Sequence, residues 1–458
     1  MGTRAQGSPA PATSAPATVD VQEAIDHIGF GRFQRRLLLV CGVTWAADAA
    51  ELLAIGFALP GIRESFGLGT TGAGLVAAAA FLGMLLGATF WGTVSDRIGR
   101  RAGFQWTVAI FAVFGFLSAF APNAELLFAC RFLAGFGLGG ALPIDFSLMA
   151  EFLPRRNRGR YLVLLESFWA LGTVAIALLA LLIVPDHGWR PLLAASGVAA
   201  GLLVWIRRRV PESPRYLVTA GRADEAARIL HDVARANGRT LPARAVAASP
   251  PEGAGTLSGL WRPQLRRSTV TLWIAWFAIG LAYYGLFVYL PTILADRGFS
   301  VVRTYGYSLV LAAAQVPGYL SAAWLVERWG RRPTLVAYLA ASGAFTVLFA
   351  VADSEAAIIA AAALMSFFAL GAWAALYAYT PESYPTAVRT TGMGWASGMA
   401  RVAAALVTLF GATVIAGSMA FALVFCGVTF LIGAAVVALL GRETRGTALA
   451  DALGPPSG

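Results

Sequence analysis

Six ionisable side chains stand inside long apolar runs: Asp48, Glu51, Arg131, Asp145, Glu166 and Arg401. A charge at the middle of a membrane costs roughly 2.5–3.5 kcal/mol on insertion scales, so each is expected to face a cavity or a partner. On a helix, Asp48 and Glu51 stand about 60° apart around the axis and about 4.5 Å apart along it, close enough for their titrations to couple. With Asp145 they are the candidates for proton coupling; the rival reading pairs one or both with a buried Arg. Arg401 lies in a stretch rich in Gly and Ala and can grip a carboxylate through two parallel hydrogen bonds. Its rival reading is an ion pair with an acid such as Asp48. Arg131 and Asp145 share one side of a helix but stand about 21 Å apart along it, so they cannot pair. Arg131 is therefore a further candidate for substrate, at one end of a cavity. Tyr283, Tyr284, Trp373 and Tyr377 are the aromatic candidates, able to enclose a small ring by stacking.

No enzyme chemistry is expected. The three His and three Cys are scattered, which supports neither a metal cluster nor a disulfide framework. No nucleophile stands beside a base, and no cofactor is implied.

The elements that must hold these groups are membrane helices. Of the 458 residues, 58% are hydrophobic and 13% charged, and the mean hydropathy is +0.68. A soluble domain carries about 25% charged residues, so an all-α integral membrane protein is expected. Twelve apolar runs have the roughly 20 residues that a crossing needs. They lie at 37–60, 73–94, 103–121, 125–149, 160–184, 190–207, 269–291, 304–325, 334–352, 355–378, 391–414 and 418–440. The implied organisation is a tail at 1–36, a six-helix bundle at 37–207, a loop at 208–268, a second bundle at 269–440 and a tail at 441–458. In the loop, Ser213 is placed to cap a helix over 214–219 and a second helix is expected over 223–236, followed by a flexible linker over 242–259.

The net charge of +11 comes with 35 cationic residues, all Arg. Arg63, Arg190, Arg297 and Arg303 fall on one side of the spans, Arg131 and Arg401 within them, and all others on the side of the termini. The positive-inside rule then places both termini in the cytoplasm of a protein of the plasma (inner) membrane. This distribution speaks for a bilayer and against nucleic acid.

The chain also repeats its charged punctuation at an offset of 231 residues. Asp96, Arg97, Arg100 and Arg101 return as Glu327, Arg328, Arg331 and Arg332. Glu151 and Arg158 return as Glu382 and Arg389, and Glu212-Ser213 returns as Glu443-Thr444. Duplication within a bundle of membrane helices is the architecture of secondary transporters, whose site lies between the halves. The repeated charges, with Glu166, are expected to form a cytoplasmic ion network that locks the halves together when that side is shut. The embedded charges do not repeat: Asp48 maps onto Ile279, Arg131 onto Ala362, Asp145 onto Leu376 and Arg401 onto Ala170.

The loop Gly92-x-x-x-Asp96-Arg97-x-Gly99-Arg100-Arg101 resembles the signature of the major facilitator superfamily, and Arg131 with Gly135 and Gly137 resembles its fourth-helix motif. Pro211-Glu212-Ser213-Pro214-Arg215-Tyr216 and Pro381-Glu382-Ser383-Tyr384-Pro385-Thr386 resemble the sugar-porter-like division. Asp48-Ala49-Ala50-Glu51 and the stretch from Arg160 to Ala170 are similar to the branch of bacterial niacin transporters and synaptic-vesicle-two-related proteins. The resemblance implies two pseudo-symmetric six-helix bundles and alternating access. The expected function is proton-coupled transport of a small organic solute by a monomer, with a heteroaromatic or aromatic carboxylate such as nicotinate as first choice. A sugar and an organic cation are the rival substrates, and a non-transporting receptor the remote one.

Overall fold

The structure is a computed structural model, and it describes residues 19–241, 246–247 and 257–445. Among these, twelve helical stretches are long and apolar enough to cross a membrane. Their apolar character runs all round rather than along one stripe, as expected of helices set among other helices and lipid.

The first bundle holds α2 (Arg32–Phe66), α3 (Thr70–Ile98), α4 (Arg100–Ser118) and α5 (Ala124–Glu151). It is completed by the pair α6 (Arg158–Glu166) and α7 (Phe168–His187), and by α8 (Trp189–Ala194) with α9 (Ala200–Arg209). A short helix, α1 (Val21–Ile28), precedes it, so the stretch expected to be a tail is helical from Val21. The apolar side of α1 is buried, and Gln22 reaches the Leu153 carbonyl at the end of α5.

The connecting loop carries α10 (Pro214–Thr219) and α11 (Ala223–Ala236) over the residues expected. The Ser213 hydroxyl accepts from the Tyr216 amide and caps α10. Val19–Asp20 and Val246–Ala247 form a two-residue parallel pair, β1 and β2. Leu257–Leu260 is a helical turn, α12, where a linker was expected; most of the rest of that linker lies outside the described residues.

The second bundle repeats the first. It comprises α13 (Arg266–Phe287), α14 (Leu290–Asp296), α15 (Val301–Arg328), α16 (Arg331–Val351), α17 (Glu355–Glu382), α18 (Thr386–Gly417) and α19 (Met419–Leu440). The bounds of α5 and α17 differ by 231 residues at both ends, so the duplication visible in the charges is also a duplication of helices. With twelve candidate spans, the described stretches at Val19 and Arg445 fall on one face of the bundle, the face of the termini.

The halves meet along two helix pairs, α3 with α18 and α7 with α15, and again where α2 meets α14. Small residues make the approach possible. A Cβ on Gly56 would collide with the Val288 carbonyl, and one on Gly74 with the Leu409 carbonyl. Tyr305 adds a hydrogen bond of 2.9 Å to the Phe57 carbonyl. These contacts hold the halves together on the face away from the termini.

Candidate functional site

Midway along the bundle the halves part to leave a cavity of about 770 Å³, space open to solvent included. The first half contributes Asp48 from α2, Glu166 from the end of α6 and Trp169 from the start of α7. The second contributes Trp276, Tyr283 and Tyr284 from α13, Trp373 and Tyr377 from α17, and Arg401 from α18. Elsewhere the wall is mostly apolar, so the few polar groups stand out as orienting points.

The aromatic rings hold one another as well as the space. Trp276 meets Tyr377 edge-on with centroids 4.8 Å apart, and Trp373 edge-on at 5.4 Å. Tyr284 reaches across the interface to Phe81 at 4.9 Å. Trp169 also crosses it, donating from Nε1 to the Tyr283 hydroxyl at 3.1 Å. Rings so braced offer flat faces with few rotamers left to lose on binding.

The charges of the wall are unevenly matched. Arg401 has no ion pair among the described residues, so the expected alternative partner, Asp48, does not hold it. One oxygen of Asp48 and one of Glu166 accept no hydrogen bond of ordinary geometry among the described residues, although the Tyr377 hydroxyl faces the Glu166 carboxyl. The other Glu166 oxygen accepts from Trp45 Nε1 at 3.3 Å. Glu166 therefore stands in the central wall and not with the loop arginines among which it was expected. The chain is interrupted at Ser167, between α6 and α7, and this carboxylate is 5% exposed at the depth of the cavity.

Arg131 and Glu51 are also placed differently from their expected roles at a cavity. Arg131 is fully buried and ion-paired with Glu51, and it donates a second bond of 2.9 Å to the Glu51 carbonyl. Ser196 donates to the other Glu51 oxygen. Neither side chain of the pair lines the central cavity, because each satisfies the other within the first bundle. Asp145 is 1% exposed, and its oxygens accept no hydrogen bond of ordinary geometry among the described residues, although the Cys41 thiol faces them. It lies off the cavity wall, near enough to Asp48 for their charges to interact.

At the face of the termini, each half builds the same network. Arg331 bonds Glu382 at 2.9 Å and Glu327 at 3.0 Å, while Thr444 donates to Glu382 at 2.7 Å. In the first half Arg100 lies 3.6 Å from Glu151, to which Ser213 donates. Gly330 and Gly99 adopt φ of +114° and +102°, which admits a carboxylate where a Cβ would intrude. Through those gaps Glu443 accepts from the Arg331 amide at 3.0 Å and Glu212 from the Arg101 amide at 3.1 Å. An acid at the start of a helix answers its free amides and its dipole.

These bonds tie each half to itself. Among the described residues every pair of this network lies within one half, and the lock between halves was expected for the state in which this face is shut. Arg97 is exposed, and its carbonyl accepts from the Tyr216 hydroxyl at 2.9 Å. Arg158 bonds Gln22 of α1, and burial, then the charge of Arg215, pulls its guanidinium below the ordinary value. The side chains of Asp96 and Arg389 lie outside the described residues.

The model of the sugar (and other) transporter family matches residues 32–452, nearly the whole of this geometry. The chain belongs to that family. It is 38% identical to the niacin transporter NiaP of Acinetobacter baylyi, over 94% of this chain and 99% of the relative. It is 35% identical to the synaptic vesicle 2-related protein of Xenopus laevis, over 95% of this chain and 83% of that one. The fold is that of the xylose transporter XylE from E. coli in a partially occluded inward-open conformation. The TM-score is 0.75 at 17% identity, covering 91% of this chain and 100% of that one. The chain is a multi-pass major facilitator transporter of small molecules, with the twelve-helix fold its repeat implied.

Some residues of this transporter's site went unrecognised in the sequence. Trp45 and Tyr319 line the cavity, but apolar runs hold many aromatics and no spacing marks these. Glu212, Ser213, Glu443 and Thr444 were visible as repeated marks, and their part in the networks follows from that repetition.

Proposed function

We propose that this protein is a proton-coupled secondary transporter whose substrate is a small aromatic or heteroaromatic carboxylate, nicotinate first. The observation that carries the reading is Arg401: a guanidinium on the wall of an aromatic cavity, unmatched by any acid of the described chain. A flat anion answers both features, its carboxylate on Arg401 and its ring between Trp373, Tyr377 and Tyr284. The similarity to a protein named as a niacin transporter supports the same choice.

Asp48 is the proposed proton carrier, because it shares the cavity with Arg401 and keeps an unpartnered oxygen. Asp145 is the proposed second carboxyl of that relay. Glu51 belongs to the proposed coupling set only through its pair with Arg131. The distribution of Arg supports cytoplasmic termini, a plasma-membrane location and an outer face at Arg63 and Arg190. A membrane potential would then supply about 2.3 kcal/mol per charge for each 100 mV, beyond the pH gradient.

The acids Asp48 and Glu166 on the same wall favour one second reading, an organic cation. Purified protein in proteoliposomes decides. Labelled nicotinate should accumulate when the lumen is alkaline and negative, and a protonophore should abolish the accumulation. Arg401→Ala should lose nicotinate binding by about 2–5 kcal/mol, seen as lost thermal stabilisation by the ligand. Uptake indifferent to both gradients would remove the coupling. Nicotinate binding that survives Arg401→Ala would remove Arg401 as the anchor, and a wild-type protein that binds an organic cation but not nicotinate would remove the anion reading.

A further inference from the structure

A second cavity lies at the face away from the termini, beyond the closed contact between Gly56 and Val288. It holds about 310 Å³, space open to solvent included, near the lower end of ligand-site sizes. Arg63 from the last turn of α2 lines one side, with Ala73 of α3. Tyr289 and Thr292 line the other, with Asp296 at its exposed rim. Like the central cavity, it is therefore built from both halves and lies on the line along which they part.

Tyr289 donates its hydroxyl to the Thr408 carbonyl, but two other polar groups of the wall are unused. Thr292 is 8% exposed, and its hydroxyl has no hydrogen-bond partner among the described residues; nor has Arg63 Nε. Arg190 donates to the Ala119 and Ala121 carbonyls at 2.8 and 2.9 Å. Arg297 donates to the Phe349 and Ala352 carbonyls at 2.8 and 3.0 Å, and Arg303 pairs with Glu355 at 3.2 Å. Each of those three closes a helix end or an ion pair. Among the described residues Arg63 does neither, although it stands beside the Tyr289 ring at the interface.

We propose that Arg63 and Thr292 form an outer site for a small organic carboxylate, which the solute meets before it reaches Arg401. This rests on the anion reading given above. The guanidinium supplies the charge and a forked pair of donors, and the Thr292 hydroxyl supplies one donor from the opposite half. A carboxylate held there is bound by both halves at once, so parting of the helices releases it inward along the opened seam. Asp296, at the rim and in solvent, is screened and leaves the inner part of the cavity positive.

Protection against a guanidinium reagent tests the site without relying on transport. Phenylglyoxal is added to the outer face of right-side-out proteoliposomes with or without benzoate, and modification of Arg63 is read by mass spectrometry. Benzoate should slow modification of Arg63 by roughly tenfold in the wild-type protein and in Arg401→Ala, and much less in Thr292→Val. In the same vesicles, Arg63→Gln should raise the KM for nicotinate uptake from outside about tenfold with the uptake kcat and the KM from the inner side unchanged, the efflux kcat falling in step as detailed balance requires. Arg63→Lys should recover part of the loss. Equal labelling with and without benzoate overturns the site, as does a KM raised alike from both sides. Protection of Arg63 in a protein that carries no nicotinate would keep the outer anion site and refute the transport reading instead.

Discussion

The ion pair of Glu51 and Arg131 sits wholly inside the first bundle, and what it contributes is best judged by breaking it in two ways. Two charges taken from water are repaid only when geometry and additional bonds are good, and here Ser196 and the Glu51 carbonyl complete the set. Removing one partner leaves the other uncompensated, so Glu51→Leu or Arg131→Met alone should cost about 3–5 kcal/mol. The double variant should recover most of that, since replacing both charges by apolar groups is often neutral. Thermal unfolding of the purified protein in detergent measures all three; a double variant no more stable than either single would refute the pairing. The sequence showed that these charges needed partners but not which ones. Arg131 could be excluded from Asp145 by helix arithmetic within one helix. Its partner across helices depends on packing, which neither spacing nor composition encodes. Glu166 escaped for the same reason, because the interruption at Ser167 decides whether it faces loop or cavity.

At the scale of elements, the repeated networks at the face of the termini behave as clasps for individual helix ends. Arg331, Glu327 and Glu382 join the ends of α15, α16 and α17, and Glu443 answers the start of α16 through the gap at Gly330. A double-mutant cycle on Arg331 and Glu382 should give a coupling of about 0.5–1 kcal/mol, modest because Glu382 is partly exposed. A cycle on Arg100 and Glu382, which belong to different halves, should give none within error. Stability curves of the four proteins in each cycle supply the numbers, and coupling in the second cycle would show a lock between halves. The helices themselves could be read with little loss, since a run of some twenty apolar residues announces a span whatever it packs against. Membership in the clasps was readable too, through the offset of 231 residues. The direction in which the clasps act was not, because an identical charge pattern serves contacts within a half or between halves.

Under the proposed alternating access the two bundles tilt to open one face or the other, and in the described structure they meet on the face away from the termini. Gly56 lies against the Val288 carbonyl on the shut face, while Trp169 and Tyr283 join the halves at the depth of the cavity. The equilibrium between states responds only to interactions that differ between them. The contact at Gly56 exists only while that face is closed, so enlarging this residue penalises one state alone. Gly56→Leu should therefore shift the population toward a form open at Arg63, without touching either cavity wall. A cysteine introduced at Ala73, in a background with Cys41, Cys130 and Cys426 replaced by Ser, would report the shift. Its reaction with a membrane-impermeant thiol reagent from outside should quicken about tenfold when Gly56 is Leu, which corresponds to about 1.4 kcal/mol of bias. An unchanged rate would mean that closure does not depend on this approach. Labelling only from the inner side of sealed vesicles would reverse the orientation drawn from the arginines, and with it the assignment of Arg63 to the outer face.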